Sequence, residues 1–120
     1  MDHEVVGVFT EAVIKRLGLA VAENTPIYLG KSNAEHMQRQ HPGDYKKYGP
    51  RLKRIISDPD YIGIRGDGSI EYVKMFGRHV KIAVRVAGDG LYYVRSLYHV
   101  DSQAAEKLVQ SGKWIPLTNA

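Results

Sequence analysis

The sequence predicts an α+β domain, with N-terminal helices packed on one face of a four- to five-stranded antiparallel sheet and a further helix near the C-terminus. Apolar residues in the first half recur three and four apart, as on a buried helix face. Between residues 61 and 100, β-prone runs alternate with short glycine-containing turns, which imply an antiparallel meander. No repeat, low-complexity tract or linker divides the 120 residues, a length that suits one core, so residues 1–120 are read as a single domain.

Val5, Val6, Phe9, Val13, Ile14 and Leu17 predict one amphipathic helix that stops before Gly18. Residues 25–30 form a short β-prone run closed by Gly30, after which Ser32 or Asn33 caps a helix over residues 34–40. His41-Pro42-Gly43 breaks it. A third helix starts at Tyr45, with Pro50 in its first turn and Tyr48, Leu52, Ile55 and Ile56 on its apolar side. Asp58-Pro59-Asp60 turns into strands over residues 61–65, 70–76, 80–86 and 91–100. Asp101 or Ser102 caps a last helix through Gln110, Gly112 stops it, and Trp114-Ile115-Pro116-Leu117 folds back. On residues 80–86, Val80, Ile82, Val84 and Val86 share a core face, and Lys81, Ala83 and Arg85 a wet, cationic one.

Composition narrows the chemistry. The chain lacks cysteine, which removes thiolate nucleophiles, disulfides and cysteine-based zinc sites. No apolar run approaches the ~18 residues of a spanning helix, and the start, Met1-Asp2-His3-Glu4, has no signal-peptide character. A net charge of +4 favours an anionic partner. The charge is concentrated in residues 31–54, where seven basic residues stand against Glu35 and Asp44.

Two clusters carry candidate chemistry. Residues 31–41 hold His36 and His41 close to Lys31 and Arg39; five apart on a helix, the two imidazoles diverge by about 140°, so they do not form a metal site. One histidine reaching a partner suffices for proton transfer near neutral pH. The second cluster lies on the strands, where Lys74, Lys81, Arg85 and Arg95 are interleaved with Tyr72, Tyr92, Tyr93 and Tyr98, a pattern suited to holding phosphates and stacking bases. In a regular strand Arg95 and Ser96 point to opposite faces, so sharing a groove requires a bulge.

The succession Lys31-Ser32, His36, His41-Pro42, then Ile55-Ile56-Ser57-Asp58-Pro59-Asp60-Tyr61-Ile62, Ser69-Ile70-Glu71-Tyr72-Val73-Lys74 and Val94-Arg95-Ser96-Leu97-Tyr98 resembles the phage-associated barnase–EndoU–colicin–RelE-like nucleases. It runs over residues 26–100 and is carried by order and spacing rather than by any one piece. The resemblance implies a helix-backed antiparallel sheet and a small ribonuclease, a toxin or phage-linked effector, that needs no metal or cofactor. Position by position, His36 and His41 match the family's first motif histidines, Lys74 the lysine closing a strand, and Ser96 and Tyr98 a Ser/Thr-x-Tyr signature in which serine keeps the hydroxyl.

The implied reaction is attack of the RNA 2′-OH on its own phosphate. His36 is the expected base or acid, with His41 beside it. Lys74 with Arg85 or Arg95 clamps the phosphate, Ser96 and Tyr98 position it, and tyrosine is a further proton donor. Lys31, Arg39, Lys46, Lys47, Arg51, Arg85 and Arg95 are the expected RNA contacts. The resemblance also implies an acidic immunity protein or antitoxin as partner, and action in the cytoplasm, with delivery as a C-terminal effector fragment one route. A different class of function, a non-catalytic RNA- or protein-binding module of a phage or mobile element, fits the same basic surface.

Overall fold

The computed structural model describes residues 3–117, which form a seven-stranded mixed sheet with helices on both faces. The strands are β1 (His3–Val8), β2 (Pro26–Gly30), β3 (Tyr61–Ile64), β4 (Ile70–Met75), β5 (His79–Val86), β6 (Tyr92–Val100) and β7 (Ile115–Pro116), in spatial order β1-β2-β6-β5-β4-β3-β7. Neighbours pair antiparallel except β2 and β6, which run parallel over Ile27↔Tyr92 and Tyr28↔Tyr93. The expected meander is the β3-β4-β5-β6 portion; β1 and β7 extend it beyond four or five strands, and the β2–β6 pairing makes the sheet mixed.

The first half departs most from its expected form. Residues 5–17 are not one helix: β1 occupies His3–Val8, and α1 (Glu11–Leu17) begins only after Thr10, whose side chain caps it by accepting from the Val13 N–H. Val5, Val6 and Val8 are β-branched and favour a strand, and β1 pairs with β2 with a register shift at Val6. Ser32 and Asn33 lie inside α2 (Lys31–Gln40), for which Gly30 stands at the N-cap. His41 ends α2, and Pro42 opens α3 (Pro42–Tyr48) at a position where its missing N–H costs nothing. The helix expected from Tyr45 is broken by a 3₁₀ turn over Gly49–Arg51 before α4 (Leu52–Ser57), because Pro50 has no N–H to continue the ladder.

The main core lies between α1–α4 and one sheet face, with Phe9, Ile27, Met37, Ile55, Ile82, Val84 and Leu97 buried in it. Tyr72 and Tyr92 belong to this face, so of the four tyrosines expected to stack bases, Tyr93 and Tyr98 are on the other side. Tyr72 is fully buried, which drives the pKa of its hydroxyl far above the ordinary range.

α5 (Ser102–Gln110), capped by Asp101, packs on the opposite face with Ala105 against Val73 and Trp114. Not all helices therefore share one face. The returning tail crosses β3 so closely that a Cβ on Gly63 would meet the Lys113 carbonyl. Glycine there is what lets the Trp114 segment lie flat on the strand. The wet side expected for β5 is likewise only partly wet: Lys81 and Ala83 are buried, Arg85 is exposed, and Val86 at the strand end is half exposed. Among the described residues no helix is long and apolar enough to cross a membrane.

Candidate active site on the sheet

Strand parity assembles this face. Glu71 on β4 lies opposite Ala83 on β5, which lies opposite Ser96 on β6, while Lys81 lies opposite Tyr98. Between Val94 and Ser96 the register shifts, leaving Arg95 as the extra residue of a bulge. Tyr93 and Ser96 consequently keep to one side of the sheet, with Arg95 between them in the chain.

A row of contacts crosses four elements. The His41 ring, at the α2–α3 junction, stacks on Tyr98 with centroids 4.9 Å apart. Lys81 Nζ stands 4.5 Å from the centre of the Tyr98 ring. The same ammonium lies 2.9 Å from Glu71 Oε2, and Glu71 Oε1 accepts a hydrogen bond of 3.1 Å from Trp114 Nε1. Arg65 approaches Glu71 Oε2 at 4.0 Å. Glu71 and Lys81 are 7% and 6% exposed, so the carboxylate and ammonium hold each other where water is scarce. Both still line a cleft of about 360 Å³ with Arg65, Leu108 and Lys113, so a small anionic group can reach them.

Such a row can do proton-transfer chemistry. A carboxylate fixed by two donors is a base in a defined orientation, an ammonium beside it stabilises developing negative charge, and an imidazole beyond the ring is a proton donor. The Ser96 and Tyr98 hydroxyls bond no described residue and lie along the same row. Arg85, half exposed, lies 3.9 Å from Asp67, whose carboxyl is held below the ordinary range by hydrogen bonds from Ser69, with Arg85 and Arg65 adding to the effect.

The other expected site residues are placed elsewhere. Lys74 lies opposite Val80, on the core side of the sheet, where its Nζ is 3.0 Å from Asp58 Oδ2 and 3.7 Å from Asp60 Oδ1. The fold therefore does not bring Lys74 together with Ser96 and Tyr98. His36 is exposed on α2 and makes no hydrogen bond, ion pair or ring contact with described residues. Lys31 and Arg95 meet at a second pocket, at the β2–α2 junction. Arg39, Lys46, Lys47 and Arg51 are exposed in the helical layer, Lys47 over the Tyr48 ring and Arg51 over Phe76.

Glu71 and Trp114 carry no role in the sequence reading, and Lys81 enters it as one of four strand cations suited to holding phosphates. A usable signal existed: pairing strands 70–76 and 80–86 across their short turn sets Glu71 and Lys81 on the same face, diagonal to one another. His99 also went unremarked, although its backbone N–H and Nδ1 both bond Asp44 on α3, at 3.0 and 2.9 Å to Oδ2.

No curated protein and no solved structure gave a significant match. The family model of the phage-Barnase-EndoU-ColicinE5/D-RelE like nucleases, group 3, matches residues 3–107. That span takes in the sheet from β1 to β6, the Glu71–Lys81–Tyr98–His41 row and most of α5, and the chain belongs to this nuclease family.

Proposed function

We propose that the chain is an endoribonuclease that cuts RNA through the substrate's own 2′-OH, with no metal or cofactor in the reacting step. The observation that carries this reading is the unbroken row of His41, Tyr98, Lys81 and Glu71 on the sheet face that α5 partly covers. Glu71 removes the 2′-OH proton as that oxygen attacks phosphorus. Lys81 stabilises the charge on the phosphorane, Arg85 holds the RNA backbone further along β5, and the Ser96 and Tyr98 hydroxyls hold the phosphorane oxygens. His41, as imidazolium, protonates the departing 5′ oxygen. The products are a 2′,3′-cyclic phosphate and a free 5′-hydroxyl, and DNA, lacking the nucleophile, is not cut. Such an activity suits a cytoplasmic toxin or phage-linked effector. The exposed Arg65 and Lys113 around the cleft suit an acidic immunity protein or antitoxin that blocks RNA entry.

The test is incubation of pure protein with total RNA in EDTA, with end analysis of the fragments. Cyclic phosphate ends and a rate that depends on pH near histidine's range are expected. Glu71→Gln and His41→Ala, each verified folded, should lose about 10²–10⁴-fold in rate. His36 is the competing proton carrier, and His36→Ala in parallel separates the two: it should cut like the parent. RNA left intact and bound would make the face a binding surface instead.

A further inference from the structure

The second pocket on this face, about 670 Å³, lies between β1, β2, β6 and the start of α2. Its volume falls within the ~300–1,000 Å³ of small-ligand sites. Three rings are gathered there: His3 sits edge-on to Tyr28 at 4.7 Å and to Tyr93 at 6.2 Å, and the two tyrosines are 5.9 Å apart. Gly30 lies against the Tyr93 ring, and a Cβ there would lie 2.8 Å from Asn33 Oδ1. Arg95, pushed out by the β6 bulge, and Lys31 supply two cations, neither paired with a carboxylate among the described residues. Asp89 supplies the acceptor: its carboxylate takes hydrogen bonds from the Leu91 N–H and the Tyr93 hydroxyl, which hold it ionised.

An aromatic ring, cations and a fixed carboxylate fit a nucleobase with its phosphate, and fit neither a bare anion nor an apolar ligand. Arg85 pairs with Tyr93, four residues along β5 from Lys81, so this pocket lies about 13 Å along the strand from the reacting row. A dinucleotide with its one phosphate at Lys81 does not span that distance; the next nucleotide does.

We infer that the His3–Tyr93–Arg95 pocket is a subsite for a nucleotide flanking the cleaved pair, so the enzyme reads single-stranded RNA longer than a dinucleotide. This rests on the ribonuclease reading above. The experiment uses chimeric oligonucleotides with one ribonucleotide in a deoxynucleotide chain, so that the only 2′-OH fixes the cleaved bond. The dinucleotide is compared with chains extended by two deoxynucleotides on the 5′ side or on the 3′ side. Extension on one side should raise kcat/KM about tenfold and extension on the other should not. Tyr93→Ala and Arg95→Gln should each abolish that gain and leave dinucleotide cleavage unchanged; Arg95 is exposed, so its variant tests the pocket even where loss of the ring disturbs folding. Equal kcat/KM at every length, or variants that keep the length effect, would overturn the subsite while the nuclease stands. A protein that cuts no ribonucleotide-containing chain overturns both.

Discussion

Lys74 and Lys81 sit on adjacent strands, each beside a carboxylate, yet they serve opposite faces of the sheet. Charge and position in a motif were legible in the sequence, and Lys74 stood out because it closes a strand. Which face each cation joins depends on pairing register, where a shift of one residue reverses every assignment. Glu71 was passed over for the same reason, since beside Tyr72 it reads as an ordinary surface position. The fold gives Lys74 a bracing role, tying β4 to the turn that follows α4 through Asp58 and Asp60. Lys74→Met should lower stability by about 1–2 kcal/mol, because both carboxylates retain access to water, and should leave kcat/KM per folded molecule unchanged. Urea unfolding with initial rates on RNA checks this, and a large rate loss in a stable variant would return Lys74 to the reaction.

Elements joined by short turns were placed correctly from the sequence: β3 to β6 lie within a residue or two of their expected bounds, and α5 starts at one of the two caps considered. The failures involve partners distant in sequence. β1 exists because β2 pairs with it, and three-and-four spacing of apolar residues cannot distinguish that from a helix over so short a stretch. α3 is fixed in the same non-local way, by Asp44 bonding the backbone and ring of His99 on β6 and so holding the α2–α3 junction, with His41, against Tyr98. Burial alone pushes the Asp44 carboxyl up, but the hydrogen bonds from His99 and the positive charge of His99 and Arg78 outweigh it and set the pKa below the ordinary value. A carboxyl depressed in the folded state contributes stability above its unfolded pKa and loses it as pH falls through the folded one. Asp44→Asn should therefore cost about 1.5–3 kcal/mol at pH 7, with the gap to the parent closing at acid pH below the ordinary carboxyl value. Urea midpoints against pH measure it, and a gap of constant size would show that Asp44 contributes through packing alone.

Over the whole molecule, of 40 × 34 × 27 Å, the cations of α3 and the following turn and the candidate chemistry occupy different sides. The sequence located the charge in residues 31–54 but not its direction, because the break at Gly49–Pro50 turns α3 and α4 across the core face. Lys46, Lys47 and Arg51 are exposed in the helical layer, behind a sheet whose other side carries Glu71 and Lys81. A packed layer and a sheet are together about 10 Å or more thick, and the Debye length is about 8 Å at 0.15 M salt. These cations therefore act on RNA in the cleft only through a long-range field that salt removes, or by holding a strand that wraps round the edge of the sheet. Replacing all three with glutamine distinguishes the two. Steering predicts a several-fold lower kcat/KM at about 0.01 M salt, where the Debye length is ~30 Å, no change at 0.15 M, and the same kcat throughout. Wrapping predicts a loss that persists at 0.15 M and grows with RNA length. Arg85→Gln, on the same sheet face as the cleft, should lower kcat/KM at both salt concentrations, because Arg85 meets the bound strand directly. We expect the steering pattern for the triple variant, and stopped-flow cleavage of a labelled oligonucleotide across the salt series decides it.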